Sequence, residues 1–222
     1  MKTYPILVAP SILAADFSQL GAQVESVDAG GGDWIHCDVM DGQFVDNISF
    51  GPAVVEAAAR HTKCPLDVHL MIEGPDRYVP RFVDVASSIS VHVEARHNVS
   101  ETLAAIRSAG RLAGLAVSPP TPFKIVERYA GQFDILLIMT VVPGHGGQAF
   151  MPEMLEKVRT AVRMREAQGL DFQIEVDGGV NTETAAHSVD AGANILVAGT
   201  SVFRAADPAA EIRALRGGSG TD

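Results

Sequence analysis

The stretch WIHCDVMDG (residues 34–42) has the pattern of a buried β-strand that runs into a turn. Side chains of a strand alternate between its two faces. One face of this strand therefore carries an isoleucine, a cysteine and a valine, which are ordinary core residues. The opposite face carries His36, Asp38 and Met40. A buried strand that directs an imidazole and a carboxylate to the same side predicts a functional site there.

Similar apolar, β-rich runs recur along the 222-residue chain and alternate with amphipathic segments that have helical periodicity. The predicted strands are ILVAPS from Ile6, WIHCDV from Trp34, PLDVHLMI from Pro65, SISVHVEA from Ser88, LAGLAVS from Leu112, DILLIMTV from Asp134, FQIEVDGG from Phe172 and NILVAGT from Asn194. The predicted helices span residues 19–29, 52–60, 77–85, 101–108, 123–129, 152–168, 182–190 and 208–215.

Strands that alternate with helices predict a parallel sheet, and eight such units predict a closed barrel. We therefore expect an α/β protein that forms a single (β/α)8 TIM barrel with parallel strands over residues 1–216. The alternative is an open doubly wound sheet, which usually has fewer strands. The glycine- and serine-rich segment 217–222 is expected to be a flexible C-terminal tail.

Composition narrows the possible partners. The chain is 47% hydrophobic and has a formal net charge of −10, which argues against binding to nucleic acid or to an anionic membrane. No segment approaches a membrane span, and the N-terminal residues do not resemble a signal peptide. The two cysteines, Cys37 and Cys64, form no CxxC motif, so we expect a reduced, cytoplasmic protein.

Four titratable residues are predicted to meet at the carboxyl ends of the strands, where TIM barrels carry their active sites. They are His36, Asp38, His69 and Asp177. A single buried histidine is usually structural, but burying two histidines and two carboxylates without compensation would cost several kcal/mol. One divalent metal ion per subunit is the simplest compensation, with Zn²⁺ preferred and Fe²⁺, Mn²⁺ or Co²⁺ as alternatives.

The remaining polar residues are assigned lesser roles. A pair late in the fourth strand, His92 and Glu94, is expected to support the metal ligands. Two deeper carboxylates, Asp67 and Glu175, and the turn residue Asp41 are expected to be structural. The other histidines are expected to be solvated; they are His61, His97 and His187. Methionines at the same strand ends are expected to form an apolar collar, although plain core packing is the alternative.

Glycine-rich turns follow the last three predicted strands. They lie in PGHGGQAF, VDGGVN and VAGTSVF. Glycines allow backbone N–H groups to converge on an anion, and the loops after strands seven and eight are the usual phosphate site of this fold. The sequence therefore predicts a ligand with a phosphate at one end and metal-binding oxygens at the other.

The motifs APSILAADF, HCDVMDGQFVDNISFGP, DVHLMI, PGHGGQAF, VDGGVN and VAGTSVF resemble those of the ribulose-phosphate 3-epimerase family, in the same order over residues 10–203. The resemblance implies a metal-dependent isomerase that interconverts ribulose 5-phosphate and xylulose 5-phosphate. It implies His36, Asp38, His69 and Asp177 as metal ligands, with Asp38 and Asp177 as the acid/base pair. The expected substrate-binding residues are Ser11, Met40, His69, Met71, Met139, Gly144, His145, Gly146, Gly147, Gly178, Gly179, Gly199 and Thr200.

The chain also departs from the family pattern. His145 stands where the family usually has Phe, Ser118 where it has Asn, Asp46 where it has Pro, and Thr200 where it has Ser. These departures concern loop closure and substrate length and do not affect the expected metal ligands. The resemblance further implies a homo-oligomer, a dimer or a hexamer.

Three other functions remain open at this stage. They are a sister epimerase that acts on allulose 6-phosphate, a metal-free barrel lyase, and a non-catalytic phosphosugar-binding barrel. A lyase of this kind usually depends on a lysine near a strand end, and neither Lys63 nor Lys124 occupies such a position.

Overall fold

The computed structural model describes residues 4–217. Within them eight parallel strands form one sheet, in the order β1-β8-β7-β6-β5-β4-β3-β2. The strands are β1 Leu7–Pro10, β2 Ile35–Met40, β3 Leu66–Met71, β4 Ser88–His92, β5 Leu112–Val117, β6 Ile135–Met139, β7 Gln173–Asp177 and β8 Ile195–Ala198. The (β/α)8 barrel fold predicted from the strand and helix pattern is thereby confirmed. The tail expected at 217–222 lies, apart from Gly217, outside the described residues.

The barrel closes where β1 meets β2. No continuous ladder joins these two strands among the described residues; a single parallel bridge between Ser11 and His36 and a backbone hydrogen bond from Asp33 N to the Val8 carbonyl (2.9 Å) join them. This closure places Ser11, which directly follows β1, beside the polar face of β2.

The helices cover the outside of the sheet. They are α1 Leu20–Ala29, α2 Pro52–Ala59, α3 Val99–Ser108, α4 Lys124–Glu127, α5 Leu155–Gln168, α6 Thr182–Ala191, α7 Thr200–Phe203 and α8 Pro208–Leu215. Side-chain caps define several starts: the Asn181 side chain accepts hydrogen bonds from Glu183 N and Thr184 N at α6, and Asp207 accepts one from Ala210 N at α8.

The helix predicted over residues 77–85 is wrong. Two short 3₁₀ turns, Pro75–Arg77 and Val79–Arg81, follow β3 instead. Pro80 explains the difference, because a proline inside a helix lacks the N–H for the intrahelical hydrogen bond and its ring clashes with the preceding turn. The third unit of the barrel therefore lacks a regular helix.

Inward-facing side chains change character along the barrel axis. At the amino-terminal end Trp34, Ile135 and Ile195 form part of a buried apolar cluster. At the carboxyl end the same faces of β2 and β7 carry Asp38 and Asp177. The apolar layer closes the bottom of the barrel, so the polar groups open only toward the loops that follow the strands. Both cysteines are free thiols, and none of the helices within residues 4–217 is both long and apolar enough to cross a membrane.

Asp41 joins the loops that follow β2 and β3, in agreement with its predicted turn role. Its carboxylate accepts backbone hydrogen bonds from Gln43 N (2.8 Å), Phe44 N (2.9 Å) and Glu73 N (2.9 Å). Partial burial would raise the pKa of Asp41, but these three donors outweigh burial and hold the pKa below its usual value.

We expect Asp41→Asn to lower the free energy of unfolding at pH 7 by about 1–2 kcal/mol, because an amide accepts fewer of these bonds. A carboxyl with a lowered pKa in the folded state stabilises the fold above its unfolded pKa of about 3.9 and loses that contribution as the pH falls through its folded value. Urea unfolding should therefore show a smaller difference between variant and wild type at pH 3 than at pH 7. The exposed Asp84→Asn is the control, and an equal loss at both pH values would contradict this account.

Candidate active site

Four predicted residues meet at the carboxyl end of the barrel: His36 and Asp38 from β2, His69 from β3 and Asp177 from β7. One ligand atom from each lies within 4.8 Å of the ligand atoms of the other three. Asp38 Oδ1 is 3.2 Å from His36 Nε2 and 3.1 Å from His69 Nδ1. Asp177 Oδ2 is 3.6 Å from His69 Nδ1 and 4.0 Å from His36 Nε2.

Strand register explains why these groups converge. Asp38 pairs with His69 across the β2–β3 ladder, and Asp177 pairs with Met139 across the β6–β7 ladder. Strands β2 and β7 are separated by β1 and β8 around the barrel, so the two carboxylates approach from different sides. Ser11, brought in by the barrel closure, donates a hydrogen bond to Asp38 Oδ2 (2.6 Å).

A second carboxylate orients His36 from behind. Asp67 Oδ2 is 2.6 Å from His36 Nδ1, and Asp67 also accepts a hydrogen bond from the Ser88 hydroxyl. With Nδ1 held by Asp67, Nε2 is the nitrogen that faces Asp38. A carboxylate behind an imidazole is the arrangement that orients metal-binding histidines in proteins.

The pKa values of the two carboxylates at the centre are shifted in opposite directions. Burial would raise the pKa of Asp38, but the adjacent His36 and His69 outweigh burial and hold it well below its usual range. Burial raises the pKa of Asp177, and the charge of Asp38 raises it further. Two carboxyl groups whose environments separate their pKa values can divide the roles of base and acid.

The two imidazoles carry the compensating positive charge. Burial would lower the pKa of His69, but the nearby carboxylates of Asp177 and Asp38 raise it to about 9. His36 behaves similarly, because Asp38 and Asp67 raise its pKa well above the usual value despite burial. The convergence of two imidazole nitrogens and two carboxylate oxygens fits a divalent metal ion, which would replace the protons on the imidazoles. These residues could therefore hold such an ion.

Glu175 lies deeper on β7, with Oε1 3.6 Å from His36 Nδ1. Burial and the nearby charge of Asp67 raise its pKa well above the usual value, which favours the neutral form of this carboxyl. Neither of its oxygens has a hydrogen-bond partner within residues 4–217. Its position fits the structural role predicted for it.

His92 and Glu94 lie behind His69. The sequence had placed Glu94 in the fourth strand. That strand ends at His92, so Glu94 belongs to the turn that follows it. Burial lowers the pKa of His92 to about 4. Burial would raise the pKa of Glu94, but its hydrogen bond with His92 and a backbone bond from Ser118 lower it to about 2. A neutral imidazole therefore faces a carboxylate.

A cavity of about 260 Å³ opens directly above these groups. It includes all of the predicted substrate-binding residues except His69, which lies beneath its floor. The predicted residues that line it are Ser11, Asp38, Met40, Met71, Met139, Gly144, His145, Gly146, Gly147, Asp177, Gly178, Gly179, Gly199 and Thr200. The cavity also contains polar residues that the sequence analysis did not single out, namely Gln148, Asn181 and Ser201. Gln148 directly follows Gly147, Ser201 directly follows Thr200, and Asn181 lies two residues after Gly179. This closeness to the glycine turns is the signal that could have identified them.

The glycine loops after β6, β7 and β8 touch one another. A Cβ atom on Gly147 would lie 3.7 Å from Thr200 Oγ1, and one on Gly179 would lie 2.6 Å from Phe150 N. Gly179 has a φ of +67°, a conformation that favours glycine. Within residues 4–217 the backbone N–H groups of Gly147 and Gly179 donate to no protein acceptor. This part of the cavity, the glycine corner, can therefore receive an anion.

Two side-chain amides hold the loop after β6. Gln148 Nε2 donates to the carbonyls of Val142 and His145 (2.7 Å each), and Asn47 Nδ2 donates to the Gly144 carbonyl (2.7 Å). His145 is exposed at the cavity wall. The family departure at this position therefore lies in the loop at the cavity wall and not among the four residues of the metal-binding cluster.

Ser118, another departure, lies outside the cavity. Its Oγ is 3.3 Å from His92 Nδ1, and its backbone N–H donates to Glu94 Oε1 (2.8 Å). Because Ser118 does not line the cavity, any effect of this departure on the length of the substrate would be indirect.

The predicted solvation holds for only some of the remaining histidines. His187 is exposed, and His61 is half-exposed beside Glu25. The prediction for His97 is wrong, because its ring is partly buried and contacts the Thr102 hydroxyl (2.8 Å) and the His92 carbonyl (3.0 Å). Local sequence did not show that this loop folds back on β4.

The barrel, the cluster that could hold a metal ion and the adjoining glycine loops define a class: a TIM-barrel enzyme with two carboxylates opposed at its mouth. A family model described as "Ribulose-phosphate 3 epimerase family" matches residues 7–203. The chain belongs to this family, and it is an isomerase that acts on carbohydrates.

Two curated relatives illustrate the similarity. The chain is 49% identical over 214 residues to ribulose-phosphate 3-epimerase from Bacillus subtilis (strain 168), an alignment that covers 96% of this chain and 99% of the relative. It is 49% identical over 216 residues to the enzyme of the same name from Synechocystis sp., covering 95% of this chain and 93% of the relative.

A solved structure with low sequence identity shares the fold. KGPDC from Streptococcus mutans superposes with a TM-score of 0.72 at 13% identity, over 97% of each chain. At this identity the likeness concerns the barrel alone.

Proposed function

We propose that this protein is a metal-dependent 3-epimerase that interconverts D-ribulose 5-phosphate and D-xylulose 5-phosphate. The observation that carries the proposal is the pair Asp38 and Asp177, which approach the cavity floor from β2 and β7 and have their pKa values displaced in opposite directions. The names of the relatives supply the pentulose phosphate as the substrate.

Inversion at C3 of a ketose phosphate requires a proton to leave one face of the carbon and a proton to arrive at the other. One carboxylate breaks the C3–H bond by taking the proton, and the electron pair moves toward the C2 carbonyl to form a 2,3-enediolate. The other carboxyl group donates its proton to the opposite face of C3, and the carbonyl forms again. Asp38 and Asp177 exchange these roles in the reverse reaction.

His36, Asp38, His69 and Asp177 would hold one divalent metal ion, with Zn²⁺ the first candidate and Fe²⁺, Mn²⁺ or Co²⁺ as alternatives. When bound, the ion supplies Lewis-acid stabilisation of negative charge on the substrate oxygens. Ser11 donates to Asp38 Oδ2 and orients that carboxylate.

Three methionines surround the reacting position. Met40, Met71 and Met139 are buried, yet all three line the cavity. Their apolar side chains would exclude water from the enediolate, which water would otherwise protonate without control of the face.

The glycine corner would bind the substrate phosphate. We expect Gly179→Ala to raise KM by about tenfold, because its Cβ would meet the backbone at Phe150 N (2.6 Å) and displace the loop. Gly131→Ala is the matched control, since Gly131 also has a positive φ, of +78°, but does not line the cavity. Steady-state kinetics would check this, and equal KM values for both variants would contradict a phosphate site at this corner.

The other functions considered have less support. No lysine lines the cavity within the described residues, and Lys63 and Lys124 are exposed, which disfavours the lyase. An allulose 6-phosphate epimerase would use the same floor, but the curated relatives named here are pentulose phosphate enzymes. A non-catalytic binding barrel would have no use for two opposed carboxylates. We further propose a homo-oligomer, either a dimer or a hexamer, that functions in the cytoplasm.

Proton NMR of ribulose 5-phosphate with the metal-loaded protein in D₂O tests the proposed reaction. Deuterium at C3, together with formation of xylulose 5-phosphate, is the expected result. No exchange with fully loaded protein would reject this substrate. Exchange into allulose 6-phosphate under the same conditions would then identify the six-carbon epimerase, and no exchange into either would favour a binding protein.

A further inference from the structure

The two histidines of the candidate metal centre are supported differently. His36 meets the carboxylate of Asp67 directly, with 2.6 Å between Nδ1 and Oδ2. His69 meets another imidazole, because its Nε2 lies 2.9 Å from His92 Nε2, with the two ring planes inclined by only 28°. His92 Nδ1 is in turn 2.9 Å from Glu94 Oε2. Each inward-facing histidine therefore leads to a carboxylate, one directly and the other through a second histidine.

Proton positions along this chain follow from the contacts. His69 Nδ1 faces Asp38 and Asp177, so it can hold a metal ion only when that nitrogen is unprotonated. The proton of a neutral His69 then sits on Nε2 and is donated to His92 Nε2. Accepting there places the proton of His92 on Nδ1, which donates to the carboxylate of Glu94.

Glu94 is held in place at the far end of the chain. Its Oε1 accepts a hydrogen bond from Ser118 N (2.8 Å), which leaves Oε2 for His92. The loop that carries Ser118 is itself held by Lys157, whose Nζ donates to the carbonyls of Ser118 (2.8 Å) and Pro119 (2.9 Å). The acceptor that ends the chain therefore occupies a defined position.

We propose that His92 and Glu94 form a relay behind His69. They act as positioning residues that select the tautomer of His69 and thereby set the metal affinity of the centre. The inference deepens the proposed function and rests on its metal centre. Hydrogen-bond partners behind a metal ligand typically change metal affinity by about 10–100-fold when they are removed. A merely structural polar pair would affect the stability of the fold and leave the metal affinity unchanged.

Two substitutions of His92 separate these roles. The amide of His92→Gln can place an oxygen near the position of Nε2 and accept from His69, whereas the shorter His92→Asn reaches only the position of Nδ1. We expect Co²⁺ affinity, measured by competition with a chromophoric chelator, to fall about 10–100-fold in His92→Asn. In His92→Gln it should stay within about threefold of wild type, a rescue by the one variant that restores the acceptor. Equal affinities in both variants, whether high or low, would overturn the relay.

Glu94→Gln tests the other end of the chain and serves as well if His92→Asn does not fold. We expect weaker Co²⁺ binding, by about tenfold, and a shifted visible absorption spectrum of the Co²⁺ protein, because His69 is less firmly oriented. Glu73→Gln is the matched control: its side chain is 27% exposed against 23% for Glu94, and it contacts Arg96 instead of a histidine. Thermal unfolding of the metal-free variants would show whether the fold itself has changed.

The outcomes distinguish the relay from the proposed function. A wild-type protein that binds no Co²⁺ would overturn the metal centre and the relay together. A wild-type protein that binds Co²⁺ and epimerises ribulose 5-phosphate, with Glu94→Gln identical to Glu73→Gln in affinity and spectrum, would overturn the relay alone.

Discussion

Asp38→Asn and Asp177→Asn should each reduce the turnover of ribulose 5-phosphate by a factor of about 10³ or more. General acid–base catalysis by one positioned group contributes roughly 10²–10⁴-fold, and epimerisation by two carboxylates needs both groups in every turnover. An amide can neither take up the C3 proton nor donate one at neutral pH. Each aspartate is also a candidate metal ligand, so its loss removes two contributions at once.

Steady-state rates for both variants, with the metal content of each preparation, would test this expectation. Asp84→Asn is the control, because Asp84 is an exposed aspartate that does not line the cavity. A variant that retains full metal content but has lost turnover would assign the defect to proton transfer. Activity within about tenfold of wild type in either variant would contradict the scheme in which two carboxylates act on opposite faces.

Removal of metal with a chelator should abolish epimerase activity, and a divalent ion such as Zn²⁺, Mn²⁺ or Co²⁺ should restore it. The physical reason lies in the site itself: His36, Asp38 and His69 are buried, and with Asp177 they place four donor atoms within 4.8 Å of one another. Without a cation the imidazoles bind protons instead, which neutralise the carboxylates but cannot stabilise an enediolate in the same way.

Activity and thermal unfolding should both be measured before chelation, after chelation and after each ion is added back. A ligand that binds only the folded state raises its stability by mass action, so the unfolding temperature should rise with metal concentration. Unchanged activity in protein shown by elemental analysis to contain no metal would contradict the metal-dependent mechanism and leave the two carboxylates to act alone.

Much of the architecture could be predicted because it depends on local periodicity. The alternation in residues 34–42 placed His36, Asp38 and Met40 on one face, and the structure has them so. Eight β-rich runs separated by helical patterns led to the barrel. The helix expected over residues 77–85 failed for a reason visible in the chain, since Pro80 interrupts it.

The contacts behind the metal centre could not be predicted from the sequence. Asp67 was expected to be structural, but its contact with His36 depends on the stagger between β2 and β3, where the two residues pair directly. The contact of His69 with His92 likewise requires two neighbouring strands to be in register. Sequence spacing within one strand contains no information about that stagger.

By itself the sequence determined which side chains face inward and which strand ends are polar, because the pleat of a strand and the conformational freedom of glycine are properties of the local backbone. Only the tertiary structure decided which of those side chains touch. Closure between β1 and β2 brings Ser11 to Asp38, and contacts among three glycine loops create the glycine corner. Both depend on the shear and closure of the whole barrel, which no single segment encodes.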